Sequence, residues 1–249
     1  MFKINVMKKA FFITCFLSLF SGYACCQDML TATISNIAVH DFQRERIRSE
    51  YEQEKIRLGK GGNKNTTTAP TIMRPLHAFL FEPAAGVSVS VRRAIVDDLK
   101  KKNPVSGNNL EAVLKRDDPY SSYVRYLKSR DLDVQHNYAD AFTAYMLGMW
   151  RIANKLSADP SAAQIRAVRN QVAATLSVEG WTSRKKQEAA EYLLYDLIFA
   201  NEPYEGSRKA GNKMQQQQDS DAVHNRFLKQ NRMNLRGMTI TQNGLVVIK

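Results

Sequence analysis

Cysteine is almost missing from this chain. Its 249 residues include three, Cys15, Cys25 and Cys26, all inside or beside an N-terminal apolar run. The rest of the protein therefore has no disulfide framework and no thiolate metal site. Histidine is scarce too. His40, His77, His136 and His224 are scattered, and none forms a His-x-x-x-His pair, so no metal is expected. No Gly-x-Ser-x-Gly elbow is present, which removes one large class of serine hydrolases. Gly59-Lys60-Gly61-Gly62 lacks both the Gly-Lys-Ser/Thr ending and the preceding strand of a phosphate loop, and no cofactor is expected.

Acid is in short supply as well. There are 24 Asp and Glu against 36 Lys and Arg, for a formal charge of +12. Setting aside Lys3, Lys8 and Lys9 of the leader described next leaves 33 basic residues against the same 24 acidic ones, or +9. A surplus of that size favours acidic partners, such as an acidic protein or an envelope polymer, and also keeps a protein soluble. Nucleic acid is a poor partner, because no basic-aromatic motif accompanies the charge.

The N-terminus carries the clearest local signal. Lys8-Lys9 precede an apolar run, Ala10 to Phe20, and the small residues Ser21, Gly22 and Ala24 follow. A positive start, a short apolar middle and small residues at the cut describe a secretory signal peptide over 1–24. Cleavage after Ala24 would leave Cys25 at the new N-terminus, where a lipid anchor is conceivable. The lipoprotein signal wants Leu at the position occupied by Gly22, so simple cleavage is preferred. The protein is expected to be periplasmic or secreted. The mature chain is expected to have no transmembrane helix, since a span needs about 20 apolar residues.

Residues 25–58 read as a charged, partly helical arm, in which Asp41 to Leu58 interleaves both signs. Residues 59–75, rich in Gly, Asn and Thr, read as a flexible linker. A helical domain is expected over 76–235 and a β-hairpin over 236–249. Leu76-His-Ala-Phe-Leu-Phe81 forms an apolar plug ahead of it. Val91, Ala94, Ile95, Val96 and Leu99 predict a helix from about 88 to 102, stopped by Asn103-Pro104. A short helix fits 109–115. Asp118-Pro119 starts another, with Asp as N-cap and Pro at the first position.

The chain is organised around His136 to Asn154. Between Ala141 and Ile152 only Arg151 is charged. A helix this apolar all round belongs in a core, and it is too short to cross a bilayer. It is expected over 137–157, with Ala141, Ala144 and Gly148 letting a neighbour approach closely. Asp159-Pro160 should start the next helix, marked by Ile165, Val168, Val172 and Leu176 and ended by Gly180. Thr182 or Ser183 should cap another, burying Ala190, Leu193, Leu194, Leu197 and Ile198. Polar sequence follows Pro203, and a long helix is expected to resume from 210 to 233 with Val223, Phe227 and Leu228 on the core. Asn243-Gly244 is the preferred two-residue hairpin turn. The fold class is mainly α: a multi-helix bundle around a central apolar helix, with a small C-terminal β-hairpin.

Chemistry centres on one candidate set. Asn137 and Asp140 share the first turn of the central helix, Arg166 and Arg169 lie on the next, and Gln187, Glu188 and Glu191 on the one after. If Asp140, Arg169 and Glu191 meet, they form a polar cluster. Asn137, Asp140, Arg169 and Glu191 are then a candidate binding site, with a carboxylate as acid or base. The structural reading is N-capping by Asn137 and inter-helix ion pairs, and it is preferred, since such pairs are common without catalysis. Trp150, Trp181, Tyr123, Tyr126, Tyr138 and Tyr145 could line a groove, but at helical spacing they read as core.

The blocks Asn137-Tyr-Ala-Asp-Ala-Phe-Thr-Ala-Tyr145, Gln164-Ile-Arg-Ala-Val-Arg-Asn-Gln-Val172 and Lys186-Gln-Glu-Ala-Ala-Glu-Tyr-Leu193, with the tail Thr241-Gln-Asn-Gly-Leu245, resemble an uncharacterised family of exported bacterial proteins. The resemblance covers roughly residues 76 to 249. It implies export and an α-rich fold, and no activity. The expected function is a non-enzymatic binding or accessory module of the bacterial envelope. The alternative is an envelope hydrolase using Asp140 or Glu191.

Overall fold

A computed structural model describes residues 76–248. The expected leader, Cys25, and the expected arm and linker lie outside the described residues. Among the described residues, seven α-helices are followed by two strands: α1 (Ala85–Lys102), α2 (Pro104–Arg116), α3 (Pro119–Lys128), α4 (Tyr138–Ala153), α5 (Ala162–Thr175), α6 (Ser183–Lys209), α7 (Lys213–Asn231), β1 (Met238–Thr241) and β2 (Gly244–Val247). Short 3-10 turns precede α1 (Leu76–Phe79) and β1 (Leu235–Gly237). This is the helical bundle with a C-terminal hairpin that the periodicities describe. No helix among the described residues is long and apolar enough to cross a membrane.

Helix α4 is the axis. Thirteen of its sixteen residues are buried, including Met149 and Ile152. Helix α6 runs along it, α5 and α7 pack against its sides, and the turn at Leu235–Gly237 closes over its C-terminal end. The apolar plug joins it through Phe79 and Phe81, both buried, while Leu80 is half exposed and bridges to Asn137. Of the residues placed on α4's stripes, Met146 is buried, whereas Phe142 and Trp150 are partly so.

Helix α6 does more than the sequence suggests. Ala190, Leu193, Leu194 and Leu197 enter the α4 core. Tyr192, Tyr195, Ile198 and Phe199 enter a second apolar cluster with Val91, Ile95 and Leu99 of α1 and Leu110 of α2. Ile198 is buried as expected, within this second cluster. The helix is sandwiched, and this holds it together through Pro203. Proline removes one ladder hydrogen bond and usually ends or kinks a helix. Here Tyr204 is fully buried and Ser207 Oγ donates to the Pro203 carbonyl at 2.9 Å, so α6 continues to Lys209.

Several boundaries differ from expectation for local reasons. Asn103-Pro104 both stops α1 and starts α2: the Asn103 side chain accepts from Ser106 N at 3.0 Å, so α2 begins five residues before 109. Asp118 caps α3 as expected, accepting from Ser121 N at 3.0 Å. Helix α4 stops at Ala153 rather than 157, because Lys155 turns left-handed at φ 54°. Asp159-Pro160 does not start α5. Ser161 and Gln164 do, through a reciprocal capping box that satisfies two backbone N–H groups where Asp159 would satisfy one. Helix α5 ends at Thr175, and Gly180, at φ 73°, serves the later turn into α6.

Thr182 caps α6, accepting from Lys185 N at 3.2 Å. Helix α7 begins at Lys213, not 210, and Leu228 is exposed, while Val223 and Phe227 are buried. The glutamine run is helical. Gln215 and Gln217 donate to Asp219 and Asp221 one turn on, at 3.0 and 2.9 Å. The hairpin turn sits one residue earlier than Asn243-Gly244: Thr241 pairs with Gly244, leaving Gln242-Asn243 as the loop. Gly244 belongs to the strand at φ 97°, a backbone that favours glycine.

Candidate functional site

Asn137 caps α4, its side chain accepting from Ala139 N at 2.9 Å and, more loosely, from Asp140 N at 3.4 Å. Asp140, in the first turn, is completely buried. Its Oδ2 accepts from Asp133 N at 2.8 Å and from Arg169 Nη2 at 2.7 Å. Arg169 Nε lies 2.5 Å from Oδ1 as an ion-pair contact, off the line of a hydrogen bond. Burial pushes the Asp140 carboxyl up, the Arg169 charge and the Asp133 N–H draw it back, and it lies above its ordinary value. Asp140 and Arg169 thus meet, and together they fasten the 129–137 connection and α5 to α4.

Glu191 is buried in a different network. Its Oε1 accepts from Ser88 Oγ at 2.6 Å and from Gln187 Nε2 at 2.8 Å. Gln187 completes this group by accepting from Ala84 N at 2.8 Å and donating to Ala84 O at 3.0 Å. These bonds tie the start of α1 to α6. The structure therefore brings Asn137, Asp140 and Arg169 together and leaves Glu191 in a separate group. Arg166 is exposed, and Glu188 pairs with Arg184 at 3.0 Å.

A hollow opens elsewhere, between α3, α4 and α6. It has a volume of about 300 Å³ and is half open to solvent. Its apolar wall includes Tyr123, Leu127, Leu147 and Ile165. Ala144 and Gly148 of α4 also line it. On the other side of Gly148 the bundle is tight: a Cβ there would come within 3.1 Å of Leu197 Cδ2 and closer still to Cδ1. None of Asn137, Asp140, Arg169 or Glu191 lines this hollow.

Its charged wall carries three arginines, Arg130, Arg151 and Arg208, and two acids, Asp159 and Glu205. Arg151 is the lone charge in α4's apolar run and is buried. Its Nη2 donates to Asn201 Oδ1 at 2.6 Å and lies 2.9 Å from Glu205 Oε1. Being in the last turn of α4, it also meets the negative end of the helix dipole. Arg208 grips Glu205 Oε2 with Nε and Nη2 at 3.0 and 2.8 Å. Burial would raise the Glu205 carboxyl, but hydrogen bonds and charges from Arg208 and Arg151 outweigh it and hold it below its ordinary value. At the rim, burial and a hydrogen bond to Asp159 push the Tyr126 phenol up to about 12.

Arg130 is the exception. Its Nη2 donates to Pro160 O at 2.6 Å. Its nearest carboxylate, Asp159, stands 3.8 Å from Nη1, beyond hydrogen-bond reach. Of the aromatic residues named from the sequence, Tyr123 and Tyr126 line the hollow. Tyr145 donates to Asp196 at 2.9 Å, Trp150 donates to Met238 O at 2.9 Å, and Tyr138 packs on Trp181, so these four serve the core and the hairpin.

No sequence pattern marks Arg130, Arg208, Asn201 or Glu205 as site residues. They are spread over some eighty positions, and only the isolated charge of Arg151 within an apolar run hints at them. Among the described residues, no group of three or more His, Cys, Asp or Glu is arranged to hold a metal. No protein-family model matches the chain, and no curated protein or solved structure does either.

Proposed function

We propose that this is an exported, non-enzymatic binding protein of the bacterial envelope, and that the hollow beside α4 takes a small molecule. One observation carries the reading: a half-open cavity of about 300 Å³ joins an apolar wall to a few oriented polar groups. Ligand sites typically have this composition and a volume of about 300 Å³ or more. The charged groups are braced against one another rather than poised to move protons. Glu205 is held ionised between two guanidiniums, which suits positioning better than acid–base work. The hydrolase reading draws no support from Asp140 and Glu191, which sit in separate networks away from the hollow. The leader over 1–24 supports export, and the surplus of positive charge suits an acidic protein or envelope polymer as a further partner.

Titration with benzyl alcohol, a neutral probe, tests the pocket. Saturable methyl shifts confined to Leu127, Leu147 and Ile165 are expected. Unmoved methyls, or shifts spread evenly over the core, would remove the binding reading.

A further inference from the structure

We propose that the hollow is selective for small organic monocarboxylates with an apolar body, and that Arg130 anchors the carboxylate. This inference rests on the binding reading above and narrows it to one ligand class.

Size sets the first limit. A cavity of about 150 Å³ accepts benzene, with six heavy atoms. The hollow, at about 300 Å³, has twice that volume and so holds roughly a dozen non-hydrogen atoms. A nucleotide or a long acyl chain is too large.

Charge sets the second. Three arginines face two acids around the hollow, a surplus of one positive charge. A ligand with one negative charge balances it. A dianion such as a phosphate monoester would be repelled by Asp159 and Glu205, and a cation by the surplus itself.

The availability of donors sets the third. Arg151 is committed to Asn201, Glu205 and the Leu156 carbonyl. Arg208 is committed to Glu205. Arg130 spends one Nη2 hydrogen on Pro160 O, and among the described residues neither Nε nor Nη1 has an acceptor within hydrogen-bond reach, Asp159 standing 3.8 Å from Nη1. The second Nη2 hydrogen forms a planar fork with Nε–H or with Nη1–H, on whichever side Pro160 leaves open, and such a fork matches the two oxygens of a carboxylate. Tyr123 and Leu127, from the helix just before Arg130, and Leu147 opposite supply the apolar wall for the ligand's body.

The test compares 3-phenylpropanoate, octanoate and 3-phenylpropanamide by isothermal titration against the purified protein and its Arg130→Gln and Arg130→Lys variants. A hydrogen bond to a charged group contributes about 1.5–3 kcal/mol, or roughly ten- to a hundredfold in affinity. At least one carboxylate should bind tenfold or more tighter than the amide, and weaken as salt is added. Arg130→Gln should bring the carboxylate down to the level of the amide, and Arg130→Lys should fall between. An amide that binds as well as the acid, or carboxylate affinity untouched by Arg130→Gln, would overturn the ligand class while leaving the pocket reading in place. Failure of all three probes would overturn both. If Arg130→Gln does not fold, the acid-to-amide ratio and the salt dependence of the unaltered protein still decide.

Discussion

Gln171 pairs with Leu245 as a third strand would. From α5, its Nε2 donates to Leu245 O at 2.9 Å and its Oε1 accepts from Leu245 N at 2.8 Å. A two-stranded hairpin is marginal by itself. This side chain, with the Trp150 bond to Met238 O, fixes it to the helices. Gln187 does the same for Ala84 just before α1. A carboxamide suits the task because it offers one acceptor and two donors, enough to match a backbone N–H and C=O together.

Gln171→Ala should therefore free the hairpin locally. Loss of the two bonds costs about 1–3 kcal/mol. Amide hydrogen exchange at Leu245 should accelerate, while helix α4 keeps its protection. Unchanged exchange at Leu245 would show that apolar contact alone holds the hairpin.

Gly148→Ala tests the packing of α4 on α6. In an exposed helix this change stabilises by about 0.5–1 kcal/mol. Here the new methyl meets Leu197, which is fully buried and has little room to turn. Overpacking of this kind costs about 1–3 kcal/mol, so the net effect should be destabilising. A melting temperature at or above that of the unaltered protein would place α6 further from α4 than described.

The Arg151–Glu205 pair should behave as a buried ion pair. Removing one partner costs about 3–5 kcal/mol when the other is left buried and uncompensated, whereas replacing both by apolar residues is often neutral. Glu205→Met should thus be severe in urea denaturation, because buried Arg151 loses its carboxylate, while Arg208 is exposed enough to be hydrated in its place. Adding Arg151→Met should recover most of the loss. A double variant no more stable than Glu205→Met alone would mean that the guanidinium is needed for Asn201 and Leu156 instead.

The mature protein should begin at or next to Cys25 if the leader directs export. Mass spectrometry of the chain recovered from a bacterial envelope fraction reads this directly. An intact Met1 would refute export, and a diacylglycerol mass on Cys25 would replace simple cleavage by lipid anchoring.

The legible parts of this fold are those where the signal is local. Asp118-Pro119, Asn137 and Thr182 announce helix starts, because a short polar side chain can satisfy the first free N–H groups wherever it occurs. The apolar run from Ala141 to Ile152 announces the core for an equally local reason. Pro203 misleads because its effect is decided by what surrounds it: α6 is clamped between two apolar clusters, and the packing outweighs one lost bond. Asp159-Pro160 misleads because Ser161 and Gln164, just beyond it, make the better cap. The candidate site is divided in the same way. Asp140 and Arg169 project from neighbouring helices and do meet. The hollow draws Arg130, Arg151 and Glu205 from three separate segments, and their meeting becomes visible only once the helices are in place.

Glu191 offers a pH signature that separates burial from function. Burial raises its carboxyl above the usual value, and the bonds from Ser88 and Gln187 and the charge of Arg92 only partly offset this. A carboxyl that is harder to ionise folded than unfolded adds no penalty at low pH. As pH rises from about the unfolded value toward the folded one, the unfolded chain sheds its proton first, and stability is lost. Above the folded value the penalty stays constant. Glu191→Gln keeps an oxygen to accept from Ser88 and Gln187 and carries no charge at any pH. The difference in melting temperature, variant minus unaltered protein, should therefore become more positive from pH 4 to pH 7. A difference that is flat, or that turns negative as pH rises, would mean that Arg92 and the two hydrogen bonds favour the ionised form, and that Glu191 is a charge the fold needs.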